Sequence, residues 1–294
     1  MKAKTAIFAA VVLLAVAFFA TRIDALRADI GTIELQVNWL ATTLSLALLL
    51  AGFCVMAGIW WLVLRGVGAR HAPIDAFNSF ALTQFSKYLP GGIWPILGRA
   101  TLLAGNKPRL LAASTLEAGI KVIAALALSM LLIDTSNQIP AGAAVIVVVV
   151  VLVLLRPQVL SPLLGLARRV SGRFELDLSA FSQIHISLAV LLSAGTWVII
   201  GYAYAVFING FVEAPVVVLI GAFALAWAVG FLVIPAPAGI GVREVVLVVA
   251  TTPFLTEPLA LVLALAARVW WMAGDALFFT LGLLTKRTAS QTDP

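Results

Sequence analysis

The chain has 294 residues, 63% of them hydrophobic and 11% charged, with a formal net charge of +6. Soluble domains run at roughly 45–50% apolar and 25% charged, so a water-soluble globular fold is excluded and any chemistry sits in or against a bilayer. The cations fall between hydrophobic segments, the positive-inside pattern that also favours anionic headgroups, and no nucleic-acid partner is expected.

A spanning helix needs about 20 mainly apolar residues. Met1-Lys2-Ala3-Lys4 leads into an apolar run from Thr5 to Ala20 that lacks a clear small-x-small cleavage site. It reads as a retained first helix rather than a removed signal peptide. Full spans are predicted at roughly 4–21, 37–64, 109–133, 139–155, 184–207 and 258–284. Two further regions, 73–105 and 214–253, are apolar but interrupted. The 156–183 segment mixes Arg168, Arg169 and Arg173 with Leu163, Leu164, Phe174 and Leu176. It reads either as a surface amphipathic helix on anionic lipid or as a plain connecting loop. Cys54 is the lone cysteine, and His71 and His185 stand far apart, so neither a disulfide nor a metal site is expected.

Cation clusters follow or precede alternate spans: Lys2 and Lys4, Arg65 and Arg70, Lys107 and Arg109, Arg156 to Arg173, Lys286 and Arg287. All of them face the cytoplasm if 73–105 is a hairpin from the inner side and 214–253 a hairpin from the outer side. Both termini are then cytoplasmic, in a multi-pass protein of the cell membrane. The fold class expected is an all-α integral membrane protein with about six full spans and two broken, re-entrant hairpins. The whole chain, 1–294, reads as one membrane domain.

The two halves correspond. In 37–133 a span leads to an apolar limb, a break at Pro90-Gly91-Gly92-Ile93, a second limb and another span. In 184–284 the same order surrounds Pro235-Ala236-Pro237-Ala238-Gly239-Ile240, with Gly241 just beyond. An arginine follows each break, Arg99 and Arg243, and the next span carries an embedded cation, Lys121 and Arg268. The charge pattern starts the two units on opposite sides, which makes them an inverted-topology repeat. Proline removes a backbone donor and glycine permits close approach. Such breaks persist at membrane depth only where they are buried in protein or face a watery cavity. Paired breaks at matching positions point to a transport site with hinges at Pro90, Gly91, Gly92, Pro235, Pro237, Gly239 and Gly241.

Charges within the apolar segments ask for partners, because each costs about 2.5–3.5 kcal/mol at a helix centre. Glu117 and Lys121 are four apart on one helix and can pair locally. Arg268 and Asp275 share a face two turns apart and are expected to find partners on other helices. Arg243 and Glu244 are adjacent and point different ways, so one of them faces the cavity. Arg243 also opens a helical limb, and a free helix N-terminus beside an arginine suits an anion such as a lipid phosphate. Lys87 and Arg99 are expected nearer an interface. Trp60, Trp61, Trp94, Trp270 and Trp271 read as interface anchors or packing. No Walker A, G-x-S-x-G, H-E-x-x-H or C-x-x-C pattern occurs, so neither enzymatic activity nor a cofactor is expected.

The run from Phe80 through Lys87-Tyr88-Leu89-Pro90-Gly91-Gly92 to Gly98-Arg99, and the run from Gly230 to Arg243-Glu244, resemble a known family. It is the flippase-like membrane domain of lysylphosphatidylglycerol synthases, which also occurs alone. The resemblance implies lipid translocation, with Pro90, Gly92, Arg99, Pro237, Gly239, Gly241, Arg243 and Glu244 at motif positions. The second motif usually reads P-G-G-x-G-x-R-E, whereas here the glycine pair is Ala238-Gly239. The sequence ends at Pro294 without an aminoacyltransferase domain, so synthase activity is not expected. The expected function is movement of an anionic or headgroup-modified lipid between leaflets, with Lys87, Arg99, Glu117, Lys121, Arg243, Glu244, Arg268 and Asp275 as candidate site residues. A transporter of a small soluble solute, and a non-transporting partner of a lipid-modifying enzyme, are the alternatives.

Overall fold

The computed structural model describes residues 37–89, 93–133, 182–233 and 236–291. The spans expected at 4–21 and 139–155, nearly all of the 156–183 segment, and Pro90, Gly91, Gly92 and Pro235 lie outside the described residues. Within them the chain forms eight α-helices and two short 3₁₀ turns. In order these are α1 (Trp39–Gly66), α2 (Pro73–Leu82), the turn Gln84–Tyr88, α3 (Trp94–Leu102) and α4 (Lys107–Ile133). Then follow α5 (Gln183–Asn209), α6 (Val216–Leu232), the turn Pro237–Gly239, α7 (Val242–Thr251) and α8 (Glu257–Gln291).

Four helices, α1, α4, α5 and α8, are long and apolar enough to cross a membrane. At 17 residues α6 is about 25 Å long, just short of a full crossing. The sequence itself sets the ends. Asn38 caps α1, its Oδ1 accepting the Ala41 N–H at 3.0 Å. Pro73 opens α2 from the first turn, where a missing N–H costs nothing. Thr83 turns its hydroxyl back onto the Ser79 carbonyl at 2.8 Å, where α2 gives way to the 3₁₀ turn. Both interrupted regions therefore fold as helix, break and helix.

Large side chains such as Leu40, Leu191, Val249 and Val269 are exposed on the outside of the bundle. Such a surface is stable against lipid and not against water. Inside, helices approach through small residues, as expected in membranes. Gly52 and Gly66 of α1 receive Ile200 and Ile186 of α5, and Gly282 of α8 receives Ala81 of α2. Helices α1 and α5 run antiparallel. The Asn38 N–H at the start of α1 donates to the Gly210 carbonyl at the end of α5 (3.3 Å). The Ser182 N–H at the start of α5 donates to the Gly66 carbonyl at the end of α1 (2.7 Å).

The remaining contacts also come in matched sets. Helix α4 packs on α6, and α8 packs on α2. Helix α3 lies on α4, and α7 on α8. After each break the chain returns, α7 against α6 and α3 against the Gln84–Tyr88 turn. The two 3₁₀ turns touch one another, so the two interruptions meet inside the bundle.

Candidate functional site

Beside the two 3₁₀ turns lies a cavity of about 80 Å³. Four basic side chains line it: Lys87, Arg99, Lys121 and Arg243. Gln84 is a polar neighbour, and Phe53, Trp227 and Trp271 supply aromatic walls. No carboxylate lines it among the described residues. The acids stand behind the cations, each holding one or two of them.

Glu117 on α4 is fully buried and serves two cations. Its Oε2 accepts from Arg99 Nη1 at 2.7 Å, across from α3, and its Oε1 lies 2.7 Å from Lys121 Nζ on its own helix. The Arg99 guanidinium stacks 4.1 Å from the Phe80 ring, and Lys121 Nζ lies 5.3 Å from the same ring. Aromatic faces stabilise cations where water is excluded. Asp275 on α8, also fully buried, reaches across to the first 3₁₀ turn. It takes Lys87 Nζ at 2.6 Å on Oδ1 and the Tyr88 hydroxyl at 2.6 Å on Oδ2. Glu244 on α7 lies 3.6 Å from Arg268 of α8, and Arg268 also donates to the Ala238 carbonyl at 3.1 Å.

Arg243 differs from the others. It has no carboxylate partner among the described residues, and its Nε is buried without an acceptor. Its guanidinium sits about midway between Trp227 (5.9 Å) and Trp271 (6.0 Å). Two glycines make room for it. A Cβ at Gly230 would meet Arg243 Cγ at 2.5 Å, and one at Gly239 would meet both Arg243 Nε and the Gly230 Cα at 2.8 Å. Gly239 (φ 71°) and Gly241 (φ 83°) also occupy the left-handed region that favours glycine. Ala238 shares that conformation at φ 49° and ψ 22°.

A model of the lysylphosphatidylglycerol synthase TM region matches residues 3–272. The chain belongs to this family. Membership in the lysylphosphatidylglycerol synthase TM family makes it a membrane protein of a family tied to lipid modification or translocation. No curated protein matches the chain.

Against the sequence reading, the structure gathers Lys87, Arg99, Lys121 and Arg243 at one cavity and sets Glu117, Glu244, Asp275 and Arg268 directly behind them. Lys87 and Arg99 each meet a buried carboxylate of another helix, Asp275 and Glu117. At the α7 N-terminus Glu244 Oε2 accepts the Gly241 N–H at 2.6 Å, which takes one of the four donors of the first turn. The tryptophans divide. Trp60, Trp270 and Trp271 are core residues, whereas Trp94 is exposed and Trp61 packs under Arg65 at 4.6 Å.

Sequence reasoning assigned no role to Gln84, Tyr88, Trp227 or Gly230. Gly230 and Tyr88 lie inside the two motif runs, but a membrane glycine or tyrosine carries no distinguishing signal without its partner. Trp227 is one of many aromatics in an apolar helix.

Proposed function

We propose that this protein moves an anionic lipid between the two leaflets of the cell membrane, without itself modifying the lipid. The observation that carries this reading is the cavity where the two breaks meet, lined by four cations and no carboxylate. Inside a bilayer, cations held in place beside irregular backbone mark a polar path, and the anion at hand is a lipid phosphate. Membership in a family tied to lipid modification or translocation agrees with it.

The reading includes an inverted repeat of 37–133 and 184–284, with the chain termini in the cytoplasm. Support comes from the antiparallel α1 and α5 and from the matched packing of α4 on α6 and α8 on α2. In each half an ion pair joins the second limb to the following span, Arg99 to Glu117 and Glu244 to Arg268, with the signs exchanged. Substrate sites at the interface of two such repeats suit alternating access.

The direct test is reconstitution into vesicles holding a labelled anionic lipid, followed by quenching of the outer leaflet. Label on the inner leaflet becomes quenchable with the protein and not in protein-free vesicles. Arg243→Ala abolishes the gain while the protein still elutes as a folded species. Equal rates with and without protein refute the function. The topology has a separate test. Cysteines at Leu89 and Ile240, both exposed beside the breaks, should react with impermeant reagents from opposite faces. Labelling from the same face would rule out the inversion.

A further inference from the structure

We infer that the lipid this site receives ends in a phosphate monoester, a dianion with no bulky group beyond it, and that a lysylated headgroup is excluded. The inference rests on the lipid-translocation reading and narrows its substrate.

Charge is the first argument. The ionisable groups at the cavity and immediately behind it are Lys87, Tyr88, Arg99, Glu117, Lys121, Arg243, Glu244, Arg268 and Asp275. Five cations face three carboxylates, which leaves two positive charges in excess among the described residues. The breaks add none, since Pro90, Gly91, Gly92, Ile234 and Pro235 are uncharged. A diester phosphate neutralises one of the two, and a monoester dianion neutralises both.

Unused donors are the second argument. Arg99 Nε and Arg243 Nε are buried with no acceptor, and both arginines line the cavity. Arg99 is itself more than nine-tenths buried. Guanidinium N–H groups held this way match the oxygens of a phosphate.

Size is the third. At about 10–15 Å³ per water-sized occupant, a volume of about 80 Å³ admits on the order of five to eight heavy atoms. A phosphate group fits. A phosphoglycerol would extend beyond it, and an added lysyl ester further.

A lysyl group meets an additional obstacle. It would bring two ammonium groups into a cavity whose lining offers four cations and no acid. The aromatic faces that could receive an ammonium are already taken, Trp271 by Lys87 at 5.1 Å and Trp227 by Lys121 at 6.0 Å. Like charges set against each other reject a ligand.

The test measures binding to the purified full chain in detergent by native mass spectrometry. Five probes are used: phosphatidate, a prenyl monophosphate, phosphatidylglycerol, lysyl-phosphatidylglycerol and free inorganic phosphate. At pH 8 both monoester lipids should bind at least about tenfold tighter than phosphatidylglycerol, and the lysylated lipid should not saturate. The second ionisation of a phosphate monoester lies near about 6. At pH 5 the monoester therefore carries a single charge, and its advantage should collapse. Lys121→Gln leaves the Arg99–Glu117 pair intact and lowers the excess to one, so it should collapse the advantage at pH 8 as well. Arg243→Gln does the same from the other half and serves if Lys121→Gln fails to fold.

Phosphatidylglycerol or its lysyl ester binding as tightly as the monoesters at pH 8 overturns the inference, as does an advantage unchanged at pH 5. Inorganic phosphate binding as tightly as the lipids overturns the lipid source. Vesicles that move phosphatidylglycerol but not phosphatidate sink the monoester inference and leave translocation standing. Tight monoester binding with no movement of any lipid does the reverse.

Discussion

Glu117→Gln is the substitution that best probes how the site is held together. The carboxylate is fully buried and lies 2.7 Å from both Arg99 and Lys121, whose side chains are 7% and 8% exposed. Breaking a buried ion pair by removing one partner costs about 3–5 kcal/mol, because a charge is left unpaired. Here two cations lose their shared anion, and the stack on Phe80, already present beside the ion pair, offsets none of that loss. The expected loss is therefore about 3–5 kcal/mol. Lys121→Met should cost about 1 kcal/mol or less, since Arg99 and Glu117 remain as a matched buried pair. The double substitution leaves Arg99 alone unpaired and should recover part of the single Glu117→Gln loss, giving a coupling of about 1–3 kcal/mol. Unfolding by denaturing detergent in mixed micelles, followed by tryptophan fluorescence, reads all three variants. A Glu117→Gln loss below about 1 kcal/mol, or a Lys121→Met loss as large, would refute the shared-anion argument.

Four other substitutions test neighbouring parts. Gly230→Ala should displace Arg243, whose Cγ would lie 2.5 Å from the new methyl. That overpacking costs about 1–3 kcal/mol, and transport should fall as it does in Arg243→Ala. Gly195→Ala, inside α5 with nothing within 4 Å, should leave transport unchanged and stabilise by about 0.5–1 kcal/mol in the same assays. Ala238→Gly restores glycine at φ 49°. It should stabilise by about 0.5–1 kcal/mol, the strain of a left-handed alanine less the extra freedom of an unfolded glycine, seen as a raised thermal midpoint. Tyr88→Phe removes the 2.6 Å hydrogen bond to Asp275 and leaves Lys87 in place. Its cost is about 1.5–3 kcal/mol for a hydrogen bond to a charged group, measured by the same detergent unfolding.

The described spans were legible because spanning length and apolar continuity are properties of a contiguous stretch. Helix α1 was expected over 37–64 and forms at Trp39–Gly66, and α5 was expected over 184–207 and forms at Gln183–Asn209. The second interruption was legible for the same reason, since Pro237 and Gly239 act on their own backbone. The Glu117–Lys121 pair, four residues apart on one helix, belongs to this class too. Partners far apart in sequence do not. Asp275 meets Lys87 and Tyr88 across nearly 190 residues, and only the touching of α8 and the first 3₁₀ turn joins them. Gly230 is the sharpest case. It stands in plain view at the start of the second motif run, but its purpose is the passage of the Arg243 stem, and that shows only when α7 folds back on α6. At the α7 N-terminus the nearest anion is the helix's own third residue, Glu244, which takes the Gly241 N–H. Of the adjacent pair, Arg243 faces the cavity and Glu244 turns back onto the helix start.

That last exchange bears on how such a site could release what it binds. Cations without carboxylates would hold a phosphate too strongly for passage, since movement along a path needs binding strong enough to enter and weak enough to leave. Here each cation except Arg243 has a nearby carboxylate. A phosphate arriving among Lys87, Arg99 and Lys121 competes with Asp275 and Glu117 rather than filling bare charge. Those carboxylates also fix the cations in advance, so the ligand need not order them. Only Arg243 offers an uncommitted charge, and its stem packs against two glycines, Gly230 of α6 and Gly239 within the second break. A change in the backbone at Pro237–Gly239 must therefore carry the guanidinium with it. In the proposed function this makes Arg243 the group whose position reports the state of the break, and the phosphate it holds moves when the break does.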